Sequence, residues 1–439
     1  MQTVVCGQNP GHSGYQMEEP VGHIVGKNLY RALGRKIDNL TMRAPWNETL
    51  YAILKELYTE EEADVAVRMP YAMSTLDRIA EVTGYDRDRL RRILDGMASK
   101  GLIVDVRANG GYRYILSPLI IGIFEFTMMR TRGDLNMKQW ARLFHDSLNG
   151  DDSFHAANFS RGKMVSPLRV LPYDDAIALS EHVEILDYEK AASVVDEAKT
   201  FAVGICSCRH EKLHVGQKTC AVPLEMCTSM DGAADYMVRH GFAAAVPRTV
   251  IHDNLARARE MGLVLCADNV KRDVSFICFC CGCCCNVLLG ISKFGYPHAV
   301  VTSSFIARAD REACAACGAC VEVCPIKAIS RDAEDKAAID ESVCIGCGVC
   351  GLKCPNGALH LVKRKQRVLT PEATFERVIL QCLERGTLQN FMFSDPGRLT
   401  HKFLRGMIGG FLRLPPVTKA LMTDALRSSF LERMQRQRR

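Results

Sequence analysis

Aromatic residues are few, at 7% with only two tryptophans, and cysteine is almost missing from the first 205 of the 439 positions, where Cys6 stands alone. No basic segment followed by an apolar run lies near Met1, so no secretory leader is expected. The most apolar stretch, residues 115–124, is too short to span a bilayer, and Glu125 follows it. These absences predict a cytoplasmic protein with no integral membrane segment, in a compartment where thiols stay reduced. No Walker loop, no dinucleotide-binding glycine pattern and no Ser/His/Asp arrangement stands out, so no catalytic residue, nucleotide or flavin is assigned. The glycines at Gly7, Gly11 and Gly14 are weak signals. A chain that is 48% hydrophobic and 24% charged is not disordered.

What the first half lacks, the second half concentrates. Twenty of the 21 cysteines fall between Cys206 and Cys382. A run such as Cys280-Cys281-Gly282-Cys283-Cys284-Cys285 cannot pair locally, because a disulfide needs separated, facing β-carbons. Metal explains the cysteines better. Charge is uneven as well. From Leu361 onward there are 16 Lys and Arg against 6 Asp and Glu, whereas the preceding 360 residues hold 40 against 44. The net +6 is a property of the tail.

The pattern predicts an α+β multidomain fold. Residues 1–45 form an unassigned N-terminal extension. Over 46–118, Leu50, Ile53, Leu54 and Leu57 share a helical face; a second helix follows with Ser74 as N-cap, and a third with Asp86 as N-cap. Two apolar strands around Ala108-Asn109-Gly110-Gly111 read as a hairpin. Three helices and a two-stranded wing make a winged helix-turn-helix. Residues 119–164 are expected to be a helical linker whose apolar start packs on the wing. Residues 165–305 form a Cys-rich α/β domain, 306–362 a compact Cys/Gly/Pro domain, and 363–439 a basic helical tail broken at Gly409-Gly410 and Pro415-Pro416.

Residues 314–329, CAACGACVEVCPIKAI, repeat thirty positions later as CIGCGVCGLKCPNGAL. Both copies keep Cys-x2-Cys-Gly-x-Cys-x3-Cys-Pro. Three thiolates at that spacing wrap one cubane, small residues such as Ala315, Gly318, Ala319, Gly346 and Gly348 allow the turn, and the fourth Cys serves the other cluster. The rule assigns Cys314, Cys317, Cys320 and Cys354 to one 4Fe-4S cluster and Cys344, Cys347, Cys350 and Cys324 to a second. The segment resembles a bacterial-type ferredoxin domain with two 4Fe-4S clusters, and none of the eight ligand positions departs from the pattern. Zinc knuckles, with paired Cys-x2-Cys motifs, suit it poorly. Apolar Ile326, Ile329, Ile345 and Leu359 are expected to keep water from the sulfurs.

Ten more cysteines lie upstream: Cys206, Cys208, Cys220, Cys227, Cys278, Cys280, Cys281, Cys283, Cys284 and Cys285. They do not follow ferredoxin spacing. Adjacent cysteines do not easily ligate one iron but can ligate different irons, so these ten suit one further iron–sulfur cluster, or two. A helix starting near Asn286 would offset thiolate charge. Cys266 and Cys382 are expected to be buried small apolar residues, and His210 and His214 to be non-ligands. The whole arrangement loosely resembles multi-cluster iron–sulfur proteins of anaerobic bacteria.

The helix from Asp86 carries Arg87, Arg89, Arg91, Arg92 and Lys100, yet residues 46–118 hold ten basic against twelve acidic residues. A DNA-binding module presents a clear positive face, so a docking role is preferred to DNA binding. In the tail, Phe403, Met407, Phe411 and Leu414 beside Lys402, Arg405 and Arg413 suggest a basic amphipathic helix for an anionic membrane, an acidic partner or the protein's own core. The expected function is single-electron relay between a redox partner protein and the upstream Cys-rich site, as an oxidoreductase component rather than a stand-alone enzyme. The alternative is a redox-sensing transcriptional regulator using the winged helix.

Overall fold

The computed structural model describes residues 21–108, 110–131, 136–178, 186–365 and 368–436. Cys6, Gly7, Gly11, Gly14 and Asn109 lie outside them. Within the expected extension, helix Val21–Asp38 buries Leu33 and Ile37 against helices Glu48–Leu57 and Glu60–Arg68. Asn47 caps the first of these, its Oδ1 accepting from the Leu50 amide at 2.7 Å. The second was not expected; a capping box between Thr59 and Glu62 starts it. Helix Leu76–Thr83 is capped by Thr75 and not by Ser74: the Thr75 hydroxyl accepts from the Arg78 amide, while Ser74–Thr75 pairs as a short strand with Tyr114 and Arg113. Asp86 caps helix Arg87–Ser99 as expected. Strands Ile103–Ala108 and Gly111–Leu116 form the hairpin, in register from Ile103↔Leu116 to Ala108↔Gly111.

The linker does not begin as a helix. Ile121 sits at φ 53°, and regular turns start only at Phe124–Met128, followed by Met137–Asn149 and Ser153–Phe159. Phe126 packs on Gly101, just before the hairpin, so closely that a β-carbon there would meet it at 2.2 Å. The hairpin also holds the next domain. Asp105 accepts from Arg239 and lies 2.8 Å from His240 Nε2, and the Tyr236 hydroxyl donates to the Ile103 carbonyl at 2.9 Å.

The central sheet has six strands in the spatial order Leu168–Leu171, Val264–Asp268, Phe276–Cys280, Glu225–Met230, Phe201–Ile205 and Ala243–Val246. Its pairings are antiparallel throughout. The Cys/Gly/Pro segment adds two small antiparallel pairs, Phe305–Ala309 with Leu359–Lys363 and Ile329–Arg331 with Ala337–Ile339. Helices Thr374–Arg385, Leu388–Met392, Leu399–Leu412, Pro415–Leu421 and Asp424–Arg436 make up the tail. Gly409-Gly410 does not break the chain: helix Leu399–Leu412 runs through it, and Gly409 lets Gln389 pack close, 3.0 Å from where a β-carbon would stand. The break comes at Arg413-Leu414, ahead of Pro415. No helix among the described residues is long and apolar enough to cross a membrane.

Candidate metal centres

The sheet gathers the upstream thiols at one place. Cys206 follows strand Phe201–Ile205 and precedes helix Ser207–His214, which carries Cys208. Cys227 comes from strand Glu225–Met230, and Cys278 and Cys280 from its neighbour Phe276–Cys280. Cys266 stands opposite Cys278 on strand Val264–Asp268. A turn over 282–284 then leads to Cys285, at the start of helix Asn286–Ser292.

Two sets of thiols result. The first is a tetrad of Cys220, Cys281, Cys283 and Cys284, whose sulfurs all lie within 4.8 Å of one another. Cys220 is 3.6 Å from Cys281 and 3.9 Å from Cys284, and Cys283 is 3.8 Å from Cys281 and 3.4 Å from Cys284. The turn at Gly282 brings the sulfurs of neighbouring Cys283 and Cys284 together, a closeness that the sequence reading of adjacent cysteines did not anticipate. The second set is a succession of neighbouring thiols, Cys208, Cys285, Cys280, Cys278 and Cys227, each near enough to the next for their charges to interact. Cys206 borders it at Cys208 and Cys227. Cys266 is fully buried, as expected, but it faces Cys278 across the strand pair and lies near enough to Cys280 to shift its thiol, so it adjoins this network. Cys382 is buried far along the chain in helix Thr374–Arg385. His210 and His214 meet the Met128 carbonyl and each other, at 2.7 and 2.9 Å.

The surroundings of these thiols suit bound cations. Burial pushes the Cys206 thiol up to about 12, and the neighbouring Cys266 thiol does the same for Cys280. A dry crowd of this kind cannot ionise without positive charge close by. Arg209 supplies one: it is 1% exposed, reaches the Cys281 thiol, and faces Cys206 and Cys280. Its other partners are the carbonyls of Pro223 and Phe279, its Nε has no partner, and no carboxylate pairs with it among the described residues. A buried guanidinium whose anionic neighbours are sulfurs fits thiolates held by metal. Backbone amides at two helix starts, Arg209 for Cys206 and Asn286 for Cys208, act against burial and favour the thiolate. Behind them lies a network that sequence reading missed. Glu211 and Lys212, both buried, pair at 2.6 Å and share Asn286 and His145.

In the Cys/Gly/Pro segment, Gly318 and Gly348 turn the chain at φ 79° and 85° into short helices Ala319–Val323 and Val349–Leu352. At Gly346 only glycine fits, since a β-carbon would fall 2.1 Å from the Phe305 carbonyl oxygen. Cys314, Cys317, Cys320 and Cys354 line one small cavity, with Pro355 beside them. Cys324, Cys344, Cys347 and Cys350 line a second, with Pro325. Each cavity therefore takes three thiols from one copy of the repeat and one from the other. Ile326, Ile329, Ile345 and Leu359 are buried. The Ala328 amide donates to the Cys324 sulfur at 3.2 Å, and amides of Ala337 and Ala316 hold the Cys314 thiol below its usual range.

Residues 313–367 match the family model for the 4Fe-4S dicluster domain. This segment is an iron–sulfur domain of the ferredoxin type. No curated protein and no solved structure matches the chain.

The dicluster domain packs against the upstream cysteine run. Gly282 lies against the backbone of Pro325, next to Cys324. Tyr173 ties the two regions together, its amide donating to the Cys347 carbonyl at 3.2 Å and its hydroxyl to the Leu263 carbonyl at 2.7 Å. Cys266 is near enough to Cys347 for their charges to interact. Exposure differs between the two quartets: Cys317 is exposed, whereas Cys344, Cys347 and Cys350 are buried, and upstream Cys280 and Cys285 are buried while Cys206, Cys208, Cys227 and Cys278 are half-buried.

Proposed function

We propose that this chain is an electron-transfer protein. In this reading Cys314, Cys317, Cys320 and Cys354 hold one 4Fe-4S cluster and Cys324, Cys344, Cys347 and Cys350 hold a second. Cys206, Cys208, Cys227, Cys278, Cys280 and Cys285 hold a further iron–sulfur centre. Such clusters, when bound, supply one-electron oxidation and reduction. The observation that carries the reading is the order of the thiol sets, running from exposed Cys317 through the second quartet, three of whose thiols are buried, to the upstream network across Gly282 and Pro325. The chain's own part is to exclude water with Ile326, Ile345 and Leu359, to donate amides to sulfur, and to set Arg209 against thiolate charge. A redox partner protein would meet the cavity at Cys317, where Arg331 and Asp335 also stand. Anoxic reduction by a low-potential donor tests this. Uptake of more than two electrons per chain, with bleaching of the visible absorbance, is expected; uptake of none would refute it.

Residues 46–118 act in this account as a winged helix used for docking, in an anaerobic redox system. Two arginines of helix Arg87–Ser99 are engaged by acids, Arg87 with Asp77 at 2.7 Å and Arg89 with Glu61 at 2.5 Å, and the hairpin is held by Arg239 and Tyr236. That favours docking over the regulator reading. Salt-dependent affinity for duplex DNA in a filter-binding assay would reverse the preference.

A further inference from the structure

We propose that Cys220, Cys281, Cys283 and Cys284 bind a single thiophilic divalent ion, zinc or iron, in a tetrahedral all-sulfur site that contains no inorganic sulfide. The distances decide it. Four sulfurs about 2.3 Å from one ion stand about 3.8 Å apart along each edge of the tetrahedron. The tetrad shows 3.6, 3.9, 3.8 and 3.4 Å along four edges, and all four sulfurs lie within 4.8 Å of one another. In a cubane each thiolate binds a different iron, which holds the terminal sulfurs roughly 6 Å apart. The dicluster cavities show no such close set: among the described residues, no three of their eight thiols fall within 4.8 Å of one another, and the tetrad is the one group of potential ligands that does. Two kinds of thiol spacing in one chain imply two kinds of centre.

The shell is closed. Four sulfurs complete a tetrahedron and leave no position for substrate, so the site is structural or a one-electron site rather than a catalytic one. Its place explains a structural role. Cys220 comes from the loop after helix Ser207–His214, and the other three ligands come from the turn at 281–284, whose Gly282 rests on Pro325. One ion would pin that loop to the turn and so fix the face that the dicluster domain packs against. The charge left on four thiolates and a divalent ion is offset in part by Arg209 at Cys281. The inference goes beyond the relay reading and does not depend on it.

Cys220→Ala tests the site on full-length protein prepared without oxygen, since Cys220 is the half-exposed ligand outside the dense run. Zinc, iron and inorganic sulfide are counted per chain, and low-temperature EPR follows the clusters. The expected result is loss of about one ion with sulfide and the EPR signals unchanged; a zinc loss names zinc and an iron loss names iron. Loss of sulfide together with several irons, or no loss of metal at all, overturns the proposal. Should the variant fail to accumulate, the wild-type protein answers. A zinc-edge X-ray absorption spectrum with four sulfurs at about 2.3 Å and no metal neighbour supports the site, as does a Mössbauer signature of isolated tetrahedral iron. Finding neither overturns it.

Discussion

Gly282 and Pro325 meet backbone to backbone: a β-carbon on Gly282 would stand 2.7 Å from the Pro325 carbonyl oxygen and 3.0 Å from its Cα. The contact joins the upstream cysteine run to the Cys-Pro corner of the dicluster domain. Gly282→Ala forces the two backbones apart and is expected to cost about 1–3 kcal/mol of stability, as overpacking does. Electron equilibration between the upstream centre and the dicluster domain should slow as well. Thermal unfolding and rapid-mixing reduction measure the two effects, and a variant unchanged in both would show that the contact does not couple the domains.

Arg209 places a positive charge at Cys281 and Cys206 with no carboxylate to cancel it among the described residues. A unit charge about 6 Å away at an effective dielectric of about 20 is worth about 3 kcal/mol, on the order of 100 mV for one electron. Arg209→Met is therefore expected to lower the potential of the upstream centre by roughly that amount. The dicluster potentials should move less. An EPR-monitored redox titration reads both, and an unshifted upstream potential would contradict the role given to Arg209.

Asp105 holds the hairpin to helix Asp231–Arg239. Burial pushes its carboxyl up, but hydrogen bonds from His240 and Arg239 outweigh burial and bring it down to about 2. A carboxyl depressed in the folded state stabilises above its ordinary range near 3.8 and loses that contribution as pH falls through about 2. Asp105→Asn should therefore destabilise the protein by about 2 kcal/mol at neutral pH and leave it little changed near pH 2. Denaturant unfolding across that range shows whether the difference closes on acidification.

How much was legible follows from how local each signal was. The eight dicluster cysteines sit in two runs whose spacing alone states the grouping. The tetrad could not be read that way. Cys220 reaches Cys281 across 61 residues only because the loop after helix Ser207–His214 is folded back to the turn at Gly282, and the convergence of neighbouring Cys283 and Cys284 depends on that same turn. Helix Glu60–Arg68 did have a signal, the Thr59–Glu62 capping box, beside a helix that drew attention away from it. Gly409-Gly410 looked like a helix end, but Gly409 is small because Gln389 packs on it. Tertiary contact, absent from the local pattern, decided these cases.

The tail helix Leu399–Leu412 turns Leu399, Phe403, Met407 and Phe411 outward at four-residue intervals, 54–80% exposed, beside Arg398 and Lys402. We propose that this stripe contacts an anionic lipid surface. The double substitution Phe403→Glu with Phe411→Glu should abolish flotation with phosphatidylserine vesicles and leave the unfolding temperature nearly unchanged, since both rings are already solvated. Equal flotation of variant and wild type would remove the lipid reading.

The central claim is that two interlocked thiol quartets house a pair of iron–sulfur cubanes and that a third centre lies upstream. Counting iron and acid-labile sulfide in brown protein prepared without oxygen tests it most directly. The account predicts about twelve irons and a similar amount of sulfide per chain, with about eight of each in the dicluster domain. A colourless preparation, or one holding zinc and no sulfide, would contradict it.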